Sequence, residues 1–435
     1  MLVRFSLVML QGDNLGIHTM LNLSRGFNAK YYCRFCRNPR NNLQQAVNEE
    51  IVALRNEKNY TEDLESGTQK ETGIKGKSVF NDLPSFKITE NKSVDPMHDI
   101  YSNGICKYGF KSALNHFIYV KKFFTVDQFN IRKRMLSKQV HDASLPRMPD
   151  IEEGFENKNK TVKIRATAAE MRSFCHYFTL IAGTFVPIND CVWDYVKALV
   201  NLVEQALLSS FSTNDIERLQ TLVSDHHTLY LRLFENSVLK PKHHHLIHYG
   251  TVIRSSGPVS KLMCFRLEAK HKQFKQYAHI NSSRKNVCLT LCIKAALQHC
   301  YNLMNETFFS NFEMDNFEKV NLTLRPYFNK LVYQEFLDIK SIILSSRKCK
   351  INSICYQNGL FLTSTKSGVT ELIEIEEILK NDSNVYVIGQ LWKCGEFNEH
   401  FLALFLYKCI HSDINKNNNI KFTIIVYHCY SIPFI

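Results

Sequence analysis

The sequence has few of the residues and runs that mark non-globular or membrane proteins. Its 435 residues include only 16 glycines and 10 prolines, which excludes collagen-like and low-complexity chains. The longest run without a charged side chain, residues 173–189, contains Ser, His, Thr, Gly, Pro and Asn and is too polar to span a bilayer. We therefore expect no membrane partner for this chain.

Acidic side chains are also fewer than basic ones. There are 41 Asp plus Glu against 54 Lys plus Arg, which gives a formal net charge of +13. This balance disfavours an acidic, halophile-type surface and fits a polyanionic partner. The hydrophobic share of 45%, with 30 phenylalanines, excludes a wholly disordered chain and favours a globular protein of two or three domains.

The fourteen cysteines are scattered along the chain and do not form the dense framework of a small secreted domain. Residues 1–10 contain one Arg and a short apolar stretch but no small-residue cleavage site. We interpret them as a buried strand and not as a signal peptide. The sequence thus predicts an intracellular protein with reduced thiols.

Hydrophobic patterning in the first 165 residues predicts one strand and long polar connections. The apolar run 2–10 predicts a central strand, and a helix is expected from Leu15 into the twenties. The polar stretch 41–91 lacks strong apolar periodicity and is predicted to be a long loop with one short helix at 49–55. A second polar stretch, 152–163, is predicted to be loosely ordered.

The rest of the chain changes from a helical to a strand pattern. Apolar residues recur at steps of three and four over 193–207, which is typical of the core-facing side of a helix. Ser212 is a suitable N-cap for the next helix. After about residue 345, apolar runs at 385–389, 401–406 and 422–427 are separated by turn-forming residues and predict strands.

Two acidic residues occupy positions suited to holding a divalent cation. Asp13 directly follows the apolar run, where a carboxylate on a rigid element can bind an ion, although its position alone favours capping of the next helix. Glu268 shares one face of a predicted helix with His271 and Lys275. The alternative for Glu268 is a solvated face on which it pairs with Lys272.

The tetrapeptide at 95–98 combines a carboxylate and an imidazole one helical turn apart. Asp95 and His98 could take part in acid–base or metal chemistry. Pro96 directly after Asp95 is also typical of a helix start, with Asp95 as the N-cap. Both interpretations can hold, because capping fixes Asp95 without using His98.

Cys33 and Cys36 form half of a tetrahedral zinc site. The second half is not a neat second pair, and its candidates are His98, Asp95 and the cluster 243–245 with His248 nearby. The alternative is that the two cysteines are reduced and pack among the surrounding aromatic residues.

The segment 240–249, KPKHHHLIHY, is the densest in cations and histidines. Lys240 and Lys242 suit contacts to phosphates. At most one or two of the three adjacent histidines could face a single ion. The alternative is an exposed basic loop that holds no ligand.

In their order along the chain, these motifs resemble those of transposases of the CACTA (En/Spm) superfamily. The likeness extends over about residues 4–301 and is most specific in its last block. The matching segments are GDNLG at 12–16, YCRFC at 32–36, DPMHD at 95–99, KPKHH at 240–244, GP at 257–258 and FRLEAKH at 265–271.

The resemblance implies an α/β fold, in which a partial RNase H-like core is interrupted by a long, mainly helical insertion and followed by a small β-rich C-terminal module. The expected regions are 1–40, a partial core with the CxxC motif; 41–165, a polar loop region with the DPMH motif; 166–310, the helical insertion and the Glu-bearing core helix; 311–349, a helical linker; and 350–435, the β-rich module.

The resemblance also implies a chemistry. Those transposases hold two Mg²⁺ ions with an Asp-Asp-Glu triad, and the ions activate water and then the DNA 3′-hydroxyl for attack on phosphate. By resemblance, Asp13 is the second acid and Glu268 the third, while Asp95 and His98 match the family's Asp-x-x-His motif. The implied partner is DNA at transposon ends in the nucleus, a homo-oligomer is compatible, and no small-molecule substrate is expected. The expected DNA-contacting cations are Lys240, Lys242, Arg266, Lys270, Lys272 and Lys275.

The chain departs from the family pattern at its start. The family's first catalytic Asp lies upstream of the second, whereas only twelve residues precede Asp13 here and none is acidic. We therefore predict an N-terminally truncated transposase that is inactive alone. The alternative is a non-enzymatic DNA- or protein-binding protein domesticated from such an element. A third class, a zinc hydrolase built on Cys33 and Cys36, lacks an evident general base.

Overall fold

The computed structural model shows a mixed α/β chain. The residues it describes are 6–139, 146–156, 158–235, 237–280, 282, 285–305, 312–320, 344–351, 354–366, 369–380 and 385–408. The chain divides into two compact units. Over the described residues, the first unit lies within 6–137 and 146–276, and the second lies within 138–139 and 277–408.

Helices dominate the first unit, although two of them run past its limits. The α-helices are α1 (Asn14–Met20), α2 (Arg40–Leu43), α3 (Glu57–Ser66), α4 (Gln69–Thr72), α5 (Ile105–Asn115), α6 (Val126–Gln139), α7 (Ala168–Ala182), α8 (Cys191–Ala206), α9 (Thr213–Leu233), α10 (Pro241–Ile247), α11 (Tyr249–Ser256) and α12 (Phe265–Ile280). The shorter turns are 3₁₀-helices at Val79–Asp82 and Val259–Leu262 and π-helices at Met97–Tyr101 and His116–Val120.

Side-chain caps fix where several of these helices begin. Asp13 caps α1 by accepting a hydrogen bond from the Gly16 amide at 2.6 Å. Ser212 caps α9, as predicted, and exchanges reciprocal hydrogen bonds with Asp215. Each such cap satisfies amide groups that the first helical turn leaves without partners. The predicted helix over 193–207 is confirmed as α8, with its apolar side buried.

Two apolar clusters organise the first unit. An aromatic cluster joins α5, α7 and α8: the rings of Phe110 and Phe178 stack with centroids 4.3 Å apart, and Trp193 is fully buried beside them. The second cluster forms around α1 and the segment that follows it; its buried members are Leu10, Ile17, Leu21, Leu23, Tyr60, Ile74, Phe86 and Ile88. Packing of this second cluster fixes the position of α1 and therefore of its N-cap, Asp13.

The predicted strand at 2–10 is not formed over the residues that the structure describes. Leu10 alone makes a parallel bridge, to Lys92, through hydrogen bonds with the backbone of Asn91 and Ser93, while residues 6–9 lie outside any strand. Residues 1–5 lie outside the described part of the chain. An RNase H-like core is therefore not shown by the described residues.

Two stretches predicted to be polar loops are ordered. Residues 152–163 belong to an antiparallel hairpin of β1 (Ile151–Glu156) and β2 (Asn159–Ile164). The prediction was wrong because the strands bury only Ile151, Gly154, Val162, Ile164 and a threonine, while their charged side chains face solvent.

The region 41–91 also differs from the prediction. The short helix expected at 49–55 is absent, and α3 begins at Glu57 instead. Asn56 and Asn59 form a capping box there, with reciprocal side-chain-to-backbone hydrogen bonds of 3.0 Å each. The capping box therefore fixes the start of the helix, which lies beyond the weakly apolar stretch from residue 49 that had suggested one.

Over its described residues, the second unit contains a helix that lies wholly within it and antiparallel sheets. The helix is α13 (Val287–Met304), and the strands are β3 (Phe312–Asp315), β4 (Glu318–Lys319), β5 (Leu344–Ser346), β6 (Lys348–Ile351), β7 (Ile354–Gln357), β8 (Phe361–Lys366), β9 (Val369–Lys380), β10 (Val385–Asn398) and β11 (Ala403–Lys408). One sheet has the order β11-β10-β9-β5-β4 with β8 also paired to β9, and the other has the order β3-β6-β7.

The β-rich character predicted for the C-terminal module is present in its described residues. The run at 385–389 begins β10, and the run at 401–406 overlaps β11. The run at 422–427 lies outside the described residues. The helical linker predicted for 311–349 is wrong where the structure describes it, because β3, β4, β5 and the start of β6 lie there. Among the described residues, no helix is long and apolar enough to cross a membrane.

Candidate functional site

The CxxC motif and the histidine-rich segment come together in the first unit. Cys33 and Cys36 lie in the loop that precedes α2. His244 lies on α10, and His248 follows the end of the same helix, so their spacing of four places them on one side. All four side chains are buried, and their ligand atoms lie within 4.8 Å of one another.

The distances among these atoms fit a tetrahedral metal site. The Cys36 Sγ lies 3.3 Å from the His244 Nε2, and the Cys33 Sγ lies 3.6 Å from the His248 Nε2. The two Nε2 atoms are 3.2 Å apart. A tetrahedron built with the Zn–S and Zn–N lengths usual in proteins has edges of about 3.4–3.8 Å. This cluster, the Cys₂His₂ cluster, can therefore hold a metal ion.

The surroundings of the Cys₂His₂ cluster support metal binding. Glu49 contacts the His248 Nδ1 at 2.6 Å, a carboxylate–histidine arrangement that orients a metal-ligating imidazole. The Phe35 ring stacks on the His248 ring, and the Phe35 amide donates to the Cys33 sulfur at 3.2 Å. These contacts fix both halves of the cluster.

The electrostatics of the cluster shift the pKa values of its two thiols in opposite directions. Burial raises the pKa of the Cys33 thiol, but the hydrogen bond from Cys36 and the imidazoles of His244 and His248 outweigh it and place that pKa well below its usual value. The hydrogen bond to Cys33, together with burial, raises the pKa of Cys36. Burial lowers the pKa of His244 to about 4, so its imidazole is neutral and available as a ligand.

His98, one candidate for the second half of this cluster, lies elsewhere. Its Nδ1 contacts the Asp95 carboxylate, and both residues lie beside the buried Cys264, with one ligand atom of each within 4.8 Å of the others. The prediction that His98 completes the CxxC site is therefore wrong. Residues from the 243–248 candidates complete it instead, and one of the three adjacent histidines, His244, takes part.

Three of the four residues predicted to be catalytic are in contact. Asp95 is fully buried, and its Oδ1 accepts hydrogen bonds from the Met97 amide at 3.1 Å and the Cys264 amide at 3.3 Å. The His98 Nε2 lies 3.5 Å from the Glu268 Oε1. Glu268 thus contacts His98, which differs from the pairing with Lys272 considered as its alternative. We call Asp95, His98, Cys264 and Glu268 the acidic cluster.

Asp13 lies close enough to this cluster to affect the pKa of one of its members, Cys264. Burial, then Asp95, raises the pKa of the Cys264 thiol, and Asp13 and Glu268 add to the effect. Asp13 also caps α1, so the capping and ion-binding interpretations of this residue are compatible. The hydrogen bond to Asp95 raises the pKa of His98.

The predicted DNA-contacting cations fall into two groups. Arg266, Lys270, Lys272 and Lys275 are exposed on α12, a helix with no buried residue. Lys240 and Lys242 contact the protein itself: the Lys240 ammonium lies 4.1 Å from the centroid of the Tyr108 ring. The Lys242 ammonium donates to the Ser102 carbonyl at 2.6 Å.

The segment 240–249 is not the exposed basic loop considered as its alternative. Its four histidines are fully buried in and after α10. His243 stacks on His226, and its carbonyl accepts a hydrogen bond from the His227 Nε2 at 2.8 Å. The cluster of imidazoles is therefore part of the helical core, with His244 turned toward the cysteines.

A buried polar network, which the sequence analysis did not predict, connects residues that are sequence neighbours of both clusters: Arg34 follows Cys33, and Asp99 follows His98. The Asp99 Oδ1 accepts hydrogen bonds from the Asn14 amide group and the His245 Nδ1, each at 3.0 Å. The Arg34 guanidinium donates to the Asn14 Oδ1 at 2.8 Å and twice to the Ser93 carbonyl. Arg34 and Asp99 stand inside the matched segments YCRFC and DPMHD, which is the signal that could have identified them.

A scan of the sequence against protein-family models finds no match, and a search of curated proteins likewise finds none. The likeness to CACTA transposases therefore stays a prediction that depends on the sequence motifs.

Proposed function

We propose that this chain is a transposase-derived, DNA-binding protein whose ancestral activity is metal-dependent DNA cleavage and strand transfer. The observation that carries the proposal is the contact of Asp95, His98 and Glu268, which lie far apart in the sequence. All three belong to motifs on which the resemblance to these transposases depends. Asp13, also singled out by the resemblance, lies within electrostatic reach of the same cluster.

The proposed chemistry assigns Asp13 and Glu268 to Mg²⁺, because carboxylate oxygens are the protein ligands that this ion prefers. The metal would polarise a DNA phosphate, and the cations of α12 would contact neighbouring phosphates. We also propose an RNase H-like arrangement around Asp13. The parallel bridge of Leu10 to Lys92 supports it, since parallel pairing is typical of such a sheet.

For the Cys₂His₂ cluster, we propose one structural Zn²⁺. Two cysteines and two histidines supply all four positions of a tetrahedral site, whereas a catalytic zinc keeps one position open for water. This closed ligand set argues against a zinc hydrolase built on Cys33 and Cys36. The ion would instead connect the loop before α2 to α10.

We expect this chain alone to show no DNA cleavage. By the resemblance, Asp13 and Glu268 are two of the three acids of the family's triad, and no residue is assigned to the other acid. A metal centre that lacks one of its bridging carboxylates loses most of its stabilisation of the transition state. The measurement is a nicking and strand-transfer assay with Mg²⁺ or Mn²⁺ on labelled terminal-repeat DNA. Cleavage that disappears in the Glu268→Gln variant would contradict the expectation.

DNA binding through α12 is the second expected result. Replacing Lys270, Lys272 and Lys275 together with alanine removes exposed cations from one helix and should weaken binding to duplex DNA. If each lysine contacts one phosphate, the slope of log K against log salt becomes shallower by about 2–3. Fluorescence anisotropy of a labelled duplex at several salt concentrations measures both effects.

A matched variant separates this contact from a general loss of charge. Lys58, Lys70 and Lys75 are exposed elsewhere in the first unit, and their replacement removes the same net charge. We expect that variant to bind nearly as the unaltered chain does. Equal losses in the two triple variants would show that α12 is not the DNA contact.

The alternative function, non-enzymatic binding of DNA, is favoured by one observation. The helix α12 carries exposed cations along its length and has no buried residue. It can therefore lie along a DNA backbone whether or not the acidic cluster binds a metal ion. DNA binding that is unchanged in Asp13→Asn and Glu268→Gln variants, together with no cleavage, would favour this alternative.

A further inference from the structure

The imidazole of His98 lies between two carboxylates. Its Nδ1 contacts the Asp95 Oδ2, and its Nε2 lies 3.5 Å from the Glu268 Oε1. The two carboxylates differ in their surroundings: the Asp95 side chain is fully buried, whereas the Glu268 side chain is about half exposed. The two ring nitrogens of His98 therefore meet different environments.

The buried carboxylate is held rigidly. Backbone amides of Met97 and Cys264 donate to the Asp95 Oδ1, which leaves the Oδ2 directed at His98. A neutral imidazole that donates its Nδ1 proton to this carboxylate presents a lone pair at its Nε2. A carboxylate behind the imidazole is the usual companion of a metal-ligating histidine, because it fixes the tautomer and the orientation of the ring.

The distance on the open side suits a shared ion. Two ligand atoms that bind one ion at about 2.1 Å each, at an angle near the tetrahedral value, are separated by about 3.5 Å. The His98 Nε2 and the Glu268 Oε1 have this separation. The buried Cys264 sulfur lies within 4.8 Å of a ring nitrogen of His98 and of an Asp95 carboxylate oxygen.

We propose that His98 and Glu268 are two ligands of one divalent transition-metal ion, with Asp95 as the positioning residue of His98. The Asp95-x-x-His98 motif then gives the acidic cluster a nitrogen ligand, which suits a divalent transition-metal ion better than Mg²⁺, since Mg²⁺ prefers oxygen ligands. The inference rests on the metal-binding role of Glu268 in the proposed function and changes one part of it: the Mg²⁺ that carboxylates alone would favour is replaced by a transition-metal ion that also accepts an imidazole.

The test uses the full chain with Zn²⁺ already bound at the Cys₂His₂ cluster. Mn²⁺ does not displace zinc there, since such ligands bind Zn²⁺ more tightly. Electron paramagnetic resonance counts free Mn²⁺ during a titration, and we expect one further bound equivalent for each chain. Its affinity should fall about tenfold or more in His98→Asn, Glu268→Gln and Asp95→Asn variants. Mg²⁺ should compete only at a concentration about tenfold higher or more.

A matched histidine serves as the control. The Nδ1 of His176 lies 3.7 Å from the Glu204 Oε1, a similar contact elsewhere in the first unit. The His176→Asn variant should bind Mn²⁺ as the unaltered chain does. Unchanged Mn²⁺ affinity in His98→Asn, or Mg²⁺ binding as tight as that of Mn²⁺, would overturn the inference.

A spectroscopic measurement keeps the test decisive if a variant does not fold. Electron spin echo modulation of Mn²⁺ bound to the unaltered chain should show a coordinated histidine nitrogen, and its absence would refute the assignment of His98. In Asp95→Asn, weaker binding that keeps the nitrogen signal distinguishes a positioning role from a lost site. Failure of these metal tests with normal DNA binding by α12 would contradict this inference alone.

Discussion

Replacing Cys33 with serine should release one zinc ion from each chain and lower the free energy of unfolding of the first unit by more than ~3 kcal/mol. The ligands of the Cys₂His₂ cluster come from segments about 200 residues apart, since Cys36 and His244 are separated by 208 positions. An ion held by both segments stabilises their folded contact. Structural zinc contributes roughly 10–16 kcal/mol in small peptides, and part of that contribution should appear here as folding stability.

Zinc content measured with a chromogenic chelator, together with urea unfolding with and without chelator, checks this prediction. The control is Cys175→Ser, because Cys175 is a buried cysteine on α7 outside the Cys₂His₂ cluster. That variant loses some packing but should keep its zinc. The prediction would be contradicted if the chain purified without stoichiometric zinc and its free energy of unfolding were the same with and without chelator.

Both halves of the Cys₂His₂ cluster were visible in the sequence, but their pairing was not. The spacings within each half are local, since Cys33 and Cys36 share a loop and His244 and His248 lie about one helical turn apart. Which distant half meets the cysteines depends on how α10 packs, and no local pattern encodes that. His98 was an equal candidate by chemistry alone, and its contact with Asp95 assigns it to the acidic cluster.

The same distinction explains which elements of the fold could be predicted. The helix α8 and the Ser212 cap follow from side-chain spacing and local hydrogen bonds within one turn. The strands in the segment predicted as a helical linker depend on distant partners instead. For example, β5 pairs with β9 through residues that lie 32–36 positions later in the sequence. A strand that buries few residues, such as β1, also carries little apolar signal along the chain.

Removal of the Arg34 side chain is the second large expected effect, with a loss of about 3–5 kcal/mol in the Arg34→Leu variant. Arg34 is only 1% exposed, and its guanidinium donates to the Ser93 carbonyl and to Asn14. Burial raises the pKa of Asp99, but His245, Arg34 and Asn14 together outweigh it and keep that pKa below its usual value. Without Arg34, the buried Asp99 carboxylate loses a compensating charge and the Ser93 carbonyl loses two donors.

Urea denaturation at neutral pH measures this loss, and Arg37→Leu is its control. Arg37 lies three residues away and also contacts a carboxylate, since its guanidinium is 2.7 Å from Asp63, but its side chain is 38% exposed. Exposed pairs contribute about 0–1 kcal/mol, and Asp63 keeps a second partner in Arg55.

The free energy of unfolding of the Arg34→Lys variant should lie between those of Arg34→Leu and Arg37→Leu. An ammonium keeps the charge but cannot reach both Ser93 and Asn14 in the fork geometry of a guanidinium. If Arg34→Leu were no less stable than Arg37→Leu, the buried network would make no net contribution to folding.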